Sequence, residues 1–310
     1  MSAISQRRFG GPEVLELVET GRPVPGPGQV LVRVLGAGVN PADWKLRSGT
    51  VRKAGEPPFT LGLDLCGEVV ETGAGAGRFR VGEVVFGCAS VPGGAYADYV
   101  AVSEAALAGV PEGLDPVHAA ALPVAGLTAW QPLVKVAGVR AGQRVLVHAA
   151  AGGIGHLAVQ IAKAHGAYVL GTARAEKHGF LRELGADEVI DYTAVDFTEA
   201  ARAVDVVIDP IGDDYGPRSL ETLAPGGLLI DVRGTGPDRT AVREAARARG
   251  LRYVEFGFTP SGADLERLGE LVTSGAVRVV VDRVLPLTAA AEAHAASEGG
   301  RVRGKIVLVP

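Results

Sequence analysis

The stretch Ala149-Ala150-Ala151-Gly152-Gly153-Ile154-Gly155 decides the fold, because of what lies on either side of it. Before it runs the apolar, β-branched segment Arg144-Val145-Leu146-Val147-His148; after it, Leu157, Ala158 and Ile161 continue from Ile154 as one face of a helix. A strand that turns without bulky side chains and enters a helix aims the helix's first N–H groups and its positive dipole end at the turn. That is how a pyrophosphate seat is built. Gly152 lets the backbone approach phosphates, Gly155 lets the helix close on the sheet, and Ala151, Gly153 and Ile154 complete the seat. Ala150 stands where the usual G-x-G-x-x-G has its first glycine, and a turn of this kind, taken alone, also occurs where nothing binds.

Outward from this turn, short β-branched runs alternate with helical patterns, which predicts a parallel sheet wound with helices on both faces. Six strands are expected at 144–148, 168–172, 188–191, 204–209, 228–232 and 251–256. The first helix should end at Gly166, and a second, carrying Phe180, Leu181 and Leu184, at Gly185. A later helix has Ser261 as N-cap, Asp264 three residues on, and Leu265, Leu268 and Leu271 as its apolar stripe. The first 120 residues read differently. Rich in Gly, Pro and Val, with strand-like pieces at 29–35, 67–72, 83–86 and 96–102, they predict an all-β, barrel-like domain. A helical stretch over 116–136 bridges the two, and 277–310 carries strand, helix and strand signals that return to the first domain.

At 310 residues and 47% hydrophobic content the chain is long enough for two packed domains. A net charge of −4 and a pI near 5.9 leave no basic footprint for nucleic acid or an anionic membrane. Two cysteines, Cys66 and Cys88, predict no disulfide framework and suit a reducing cytoplasm. They read as small buried hydrophobes. Arg7 and Arg8 near the N-terminus are followed by no apolar stretch, and no 18-residue apolar run occurs, so neither secretion nor membrane insertion is expected.

Further segments carry a resemblance that covers the whole chain: Gly38-Val39-Asn40-Pro41-Ala42-Asp43-Trp44-Lys45, Gly62-Leu63-Asp64-Leu65-Cys66-Gly67-Glu68-Val69, Gly82-Glu83-Val84-Val85-Phe86-Gly87, Gly126-Leu127-Thr128-Ala129-Trp130, Leu184-Gly185-Ala186-Asp187-Glu188-Val189-Ile190-Asp191-Tyr192 and Gly304-Lys305-Ile306-Val307-Leu308. With the glycine turn, these resemble the medium-chain dehydrogenase/reductase superfamily, and within it the zinc-free quinone oxidoreductase branch of zeta-crystallin-like proteins and NADPH-dependent enone or alkenal reductases. The resemblance implies an α/β protein with a GroES-like β-barrel domain and a six-stranded doubly wound Rossmann domain. Its segments would be 1–121 (GroES-like), 122–260 (Rossmann) and 261–310 (a return to the first domain). It also implies a homodimer, and the apolar strand at 251–256 is a candidate pairing edge, although an edge covered by a helix would read the same way.

No metal is expected. A catalytic zinc needs three ligands from Cys, His and carboxylate. Where zinc-dependent relatives place a cysteine ligand this chain has Asn40, and where they place Gly-His-Glu it has Gly62-Leu63-Asp64. No Cys-x-x-Cys occurs, and histidines 118, 148, 156, 165, 178 and 294 lack ligand spacing; each reads as a helix-surface or strand-end residue.

The cofactor reading is NADPH. An NAD-selective second strand ends in Asp or Glu, which accepts from the ribose hydroxyl; this one ends Thr172-Ala173-Arg174, and Arg174 and Lys177 are placed to meet a 2′-phosphate. Glu176 dissents, as a possible ribose partner, but its position inside the next helix suits a dipole partner better. The resemblance adds Tyr192 to the adenosine-phosphate pocket. Ligands gather at the carboxyl edge of such sheets, so Ile211, Gly212, Arg233, Gly234, Phe256 and Phe258 are candidates for the far wall. By resemblance, Arg303 and Lys305 would close over the cofactor.

A nicotinamide without a metal suits conjugate reduction: hydride adds to the β-carbon of an enone, enal or quinone, and charge spreads to the carbonyl oxygen. Asn40 and Lys45 are the candidate donors to that oxygen, Asp43 would orient its neighbours, and Thr128 would meet the nicotinamide ribose or phosphate. Each has a structural counterpart, since Asn40 before Pro41 can make a turn, Lys45 can be solvated and Thr128 can cap or kink its helix. Many relatives carry a tyrosine shortly after the equivalent of Arg47-Ser48-Gly49; here Thr50-Val51-Arg52 follows, which leaves water to supply the proton. A short-chain dehydrogenase would need Tyr-x-x-x-Lys and an α/β-hydrolase Gly-x-Ser-x-Gly, and neither is present. Two alternatives to a stand-alone reductase stay open: a trans-acting enoyl reductase in biosynthesis, and a protein that binds NADPH as a structural or sensory module.

Overall fold

Six runs of Val, Leu and Ile form one parallel sheet in the order Glu188–Ile190, Tyr168–Thr172, Arg144–Val147, Val204–Asp209, Leu223–Asp231, Arg252–Glu255. This is the arrangement of the computed structural model, which describes residues 1–234 and 238–310. Chain order reverses between Arg144–Val147 and Val204–Asp209, so a crevice opens beside the carboxyl end of the first of these strands. The strands are apolar on both faces because helices cover both, and Leu146, Leu170, Val207 and Leu229 are fully buried in one core with Phe197 and Leu220. The helices Gly155–Ala164 and His178–Glu183 end close to Gly166 and Gly185, whose φ angles of 79° and 96° suit glycine. The fifth strand begins at Leu223, five residues before its expected start, with an irregular register against Val204–Asp209.

The chain separates into two compact units: Met1–Leu127, Pro260–Ser274 and Val279–Pro310 form one, Thr128–Thr259 and Gly275–Arg278 the other. Against the expected segments 1–121, 122–260 and 261–310, Pro260 and two short pieces change sides. Residues 122–127 belong to the first unit, where Val124 N donates to Asp64 Oδ1 at 2.6 Å. Residues 275–278 belong to the second, where the Gln160 side chain brackets Arg278, accepting from its N at 2.8 Å and donating to its O at 2.9 Å.

In the first unit a seven-stranded sheet runs Val281–Pro286, Lys305–Val309, Gln29–Val39, Asp64–Thr72, Val84–Cys88, Leu107–Gly109, with Tyr99–Ser103 also paired to Gln29–Val39. A three-stranded sheet runs Glu16–Glu19, Ser2–Gln6, Phe59–Thr60. The C-terminal strand reaches the long strand antiparallel, Ile306 opposite Val39, as the sequence pattern over 277–310 suggests. The all-β expectation needs correction at Pro41–Ser48, which is a helix, whereas the helix Pro116–Ala121 opens the helical stretch expected over 116–136. Both begin with proline after an Asn or Asp, which presets the first helical φ and supplies a cap. The late helix is Gly262–Thr273, and Ser261 Oγ accepts from Asp264 N at 3.2 Å as its capping pattern predicts. No helix among the described residues is long and apolar enough to cross a membrane.

Candidate active site

The turn after Arg144–Val147 is tight for reasons that lie in particular side chains. Ala149 takes a left-handed φ of 46°, and its carbonyl accepts from Gly152 N at 2.9 Å. Ala150 replaces the usual glycine because Gly171 on the neighbouring strand leaves space for its methyl; a Cβ on Gly171 would lie 2.9 Å from it. A Cβ on Gly155 would lie 2.4 Å from the Ala149 oxygen and 2.6 Å from Ala150 Cα, so only glycine lets the helix start this close to the turn. Ala151 and Gly155 are buried, while Gly152, Gly153 and Ile154 are half-buried.

Behind the turn lies a buried histidine. His148 contacts Thr172 Oγ1 through Nδ1 at 3.1 Å and Ser219 Oγ through Nε2 at 2.9 Å, and it packs edge-on against Phe197 and Tyr215. Burial, helped by the Arg218 charge, pushes its pKa down to about 3, so it stays neutral. Thr172 Oγ1 in turn accepts from Ala149 N at 3.3 Å, tying the second strand to the turn. Beyond Thr172 and the buried Ala173, Arg174 is exposed, and its Nε donates to the Tyr192 hydroxyl at 3.2 Å. Lys177 is half-buried on the same short turn, and Glu176 points to solvent.

At the ends of the later strands, Asp209 Oδ1 accepts from Ile211 N at 2.8 Å and Gly212 N at 2.9 Å and closes a small loop. The Arg233 guanidinium lies across Gly212, where a Cβ would come within 1.9 Å of Cζ, and it is held by Asp231 at 2.6 Å. Arg233 therefore braces this loop, with its charge paired to Asp231. Gly234 follows it with a φ of 71°, and Phe256 and Phe258 are half-buried beyond the last strand. Thr128 is buried in Pro123–Trp130.

In the first unit, Asn40 ends the long strand and opens the helix Pro41–Ser48. Its N–H is capped by Asp43 Oδ2 at 2.8 Å, and its side-chain Nδ2 donates to Asp64 Oδ2 at 2.9 Å. Lys305 Nζ donates to Asp64 Oδ2 at 2.9 Å, to the Val39 carbonyl at 3.0 Å and to Asn40 Oδ1. Three ammonium hydrogens meet three acceptors. Lys305 is only 3% exposed, so the expectation that it closes over a cofactor is corrected: its charge is spent inside the protein, neutralising Asp64. Gly38 makes room for this cluster, since a Cβ there would lie 2.6 Å from Asp64 Oδ2.

A second chain of hydrogen bonds reaches Asn40 from the other side. Asp43 also accepts from Gly62 N at 3.3 Å and from the Tyr96 hydroxyl at 3.3 Å. His294 Nε2 meets the Tyr96 oxygen at 3.2 Å, and its Nδ1 faces Arg47 Nη1 at 3.3 Å. Arg47 can only donate, so His294 Nδ1 accepts, Nε2 carries the proton, and the tyrosine is left to donate to Asp43. Arg47 is anchored by Glu298 and by the Gly10 carbonyl at 3.1 Å. Burial raises the Asp43 pKa to about 7 despite its donors. His294 is held neutral, its pKa pushed down to about 3 by burial and the Arg47 charge. Lys45 is half-buried, its Nζ 5.7 Å from the Trp44 ring centre, and the Arg303 side chain is exposed.

Sequence reasoning thus named Asn40, Asp43 and Lys305, which the fold gathers in one network, but missed Arg47, Tyr96 and His294 as its supports. His156 and His294 are fully buried within helices, which corrects the helix-surface reading for them, while His148, also fully buried, sits at the strand end as expected. A readable signal for Asp64 existed: it is a lone carboxylate between Leu63 and Leu65 at the head of an apolar strand run.

Residues 26–112 match the family described as alcohol dehydrogenase GroES-like domain, and 184–308 the family described as zinc-binding dehydrogenase. A quinone oxidoreductase from Sus scrofa is 33% identical over 100% of this chain and 98% of its own length. The chain belongs to the quinone oxidoreductases, the zinc-free branch of the medium-chain dehydrogenase/reductase superfamily. Among solved quinone oxidoreductases, that of Coxiella burnetii superposes with a TM-score of 0.93 at 38% identity, covering 100% of this chain and 99% of its own. The Escherichia coli quinone oxidoreductase complexed with NADPH gives a TM-score of 0.90 at 30% identity with full coverage of both chains. The chain is therefore an oxidoreductase with a GroES-like domain and a Rossmann domain. Zinc, which one family description names, does not fit the residues of this chain. Asn40 offers an amide, Asp64 is neutralised by an ammonium, and no cluster of three or more His, Cys, Asp or Glu converges among the described residues.

Proposed function

We propose that this protein reduces quinones or α,β-unsaturated ketones and aldehydes with NADPH, independently of any metal. The observation that carries the reading is the Asn40 centre: a neutral, fully braced amide held between the buried Lys305 ammonium and the Asp64 carboxylate that balances it. Such a centre suits an acceptor whose negative charge is already delocalised, because it offers hydrogen bonds and no Lewis acid.

Ala151, Gly152, Gly153, Ile154 and Gly155 would seat the pyrophosphate; Thr172, Ala173, Arg174, Lys177 and Tyr192 would hold the adenosine 2′-phosphate. Ile211, Gly212, Gly234, Phe256, Phe258, Thr128 and Arg303 would line the remainder. When bound, the nicotinamide supplies a hydride. Asn40, with Lys45, donates hydrogen bonds to the acceptor's carbonyl oxygen, where charge collects as the β-carbon gains hydride; water delivers the proton to the α-carbon. Asp43 holds Asn40 through its backbone. In the same proposal the protein is a cytoplasmic homodimer joined along the edge strand Arg252–Glu255, which sedimentation would check.

The test is a panel of enones, enals and quinones mixed with purified protein and NADPH, followed by loss of NADPH absorbance. Steady consumption with at least one class is expected. Tight NADPH binding without consumption across the panel would replace the reductase by a binding module.

A further inference from the structure

Asparagine is a useful donor only if its amide faces the right way, and its two ends differ by a single atom each. At position 40 the surroundings make that choice. The Oδ1 end meets the Lys305 ammonium and the Nδ2 end meets the Asp64 carboxylate. Flipping the amide would set N–H against an ammonium and a carbonyl oxygen against a carboxylate, inside a protein interior where such contacts are poorly screened. Asp64 is itself immobile: Oδ1 takes Val124 N at 2.6 Å, and Gly38 leaves just enough space for Oδ2. With one Nδ2 hydrogen on Asp64, the other is the only donor Asn40 has to offer.

We propose that the Asp64–Lys305 ion pair is the positioning device of this enzyme: it locks the Asn40 amide so that its second Nδ2 hydrogen is presented to the acceptor's oxygen. The proposal rests on the reductase reading above, and it assigns Asp64 and Lys305 no contact with substrate.

Two variants test it. Removing one partner alone would strand a buried charge, so Asp64→Asn is combined with Lys305→Met, which empties the pair of charge and leaves Val124 N its acceptor. Asn40→Asp combined with Asp64→Asn exchanges carboxylate and amide while keeping the net charge of the cluster. Thermal unfolding establishes that each variant folds. In cofactor-free protein, the ¹⁵N-labelled side-chain amide of Asn40 is expected to be protected from solvent exchange, and to lose at least tenfold of that protection in Asp64→Asn/Lys305→Met. The same variant should lower kcat by roughly tenfold or more, with KM for NADPH within about threefold of the parent; the exchanged pair, lacking any N–H at position 40, should lose about a hundredfold. Retained protection in a folded variant overturns the lock, and a lost lock with parental kcat overturns its role in catalysis. A parent that consumes no NADPH removes the reductase reading instead, and leaves the amide exchange as the measure of the lock.

Discussion

Arg174 shows how much one side chain can settle. Its guanidinium is exposed yet not free to wander, because Nε donates to the Tyr192 hydroxyl and leaves the terminal nitrogens outward. The strand it follows ends without an acid, so no carboxylate at the strand end itself competes with a 2′-phosphate. Arg174→Ala and Lys177→Ala should each weaken NADPH binding by roughly tenfold to a hundredfold, the worth of a hydrogen bond to a charged group, and leave NADH binding within about threefold. Titration of both cofactors checks this, and equal losses would mean that these residues do not read the phosphate. The placement of these two was legible from sequence because it depends on chain position at a strand end. Lys305 was not: an identical residue type, read the same way, turns out to lie with every ammonium hydrogen taken inside the protein. No local pattern distinguishes an outward cation from one whose partner, Asp64, lies 241 residues away.

Elements were read best where their signals are local. The six-stranded sheet, the glycine stops and the capped helix Gly262–Thr273 follow from periodicity and end signals. The helix Pro41–Ser48 was passed over although Asn40, Pro41 and Asp43 are an N-cap, a first-turn proline and an N3 acid, because the Gly- and Val-rich surroundings argued for strands alone. The turn into Gly155–Ala164 makes a sharper prediction. A methyl on Gly155 would press on the Ala149 carbonyl and Ala150 Cα, and both are backbone. Gly155→Ala should therefore cost about 1–3 kcal/mol by overpacking, measured by urea unfolding, and weaken NADPH and NADH binding together because both use the same pyrophosphate seat. Selective loss of one cofactor would contradict that.

For the whole molecule, burial sets the response to pH. Each unit carries one buried histidine with its pKa pushed down to about 3 and one buried aspartate pushed up: His294 with Asp43 at about 7, His148 with Asp209 at about 6. Below its ordinary pKa of 6.5 a histidine takes a proton in the unfolded chain and not in the folded one, so stability is lost as pH falls, by about 1.4 kcal/mol per pH unit for each. The aspartates act the other way. They hold protons when folded that the unfolded chain lacks down to 3.8, so stability is gained over the same fall. The two effects offset between about pH 4 and pH 6, so these four groups together contribute little net slope there. Asp209→Asn keeps an acceptor for Ile211 N and Gly212 N but removes the compensating proton. Its stability relative to the parent should fall by about 1.4 kcal/mol per pH unit between pH 6 and pH 4, read from urea unfolding at several pH values. A parallel pair of curves would show that Asp209 does not titrate in this window.

What the sequence determined by itself is whatever neighbours along the chain dictate: the strand–turn–helix that seats a dinucleotide, the parallel winding that follows it, the absence of metal-ligand spacing, and the end of the second strand at Arg174. Hydrophobic period, glycine conformation and capping are all short-range. Tertiary structure alone decided which charges are spent internally. Asp64 with Lys305, and Arg47 with His294 and Tyr96, are separated by tens to hundreds of residues and meet only because the C-terminal strand and helix return to the first unit. Burial then supplies the reason they matter, since a charge removed from water has to be met by another at close range.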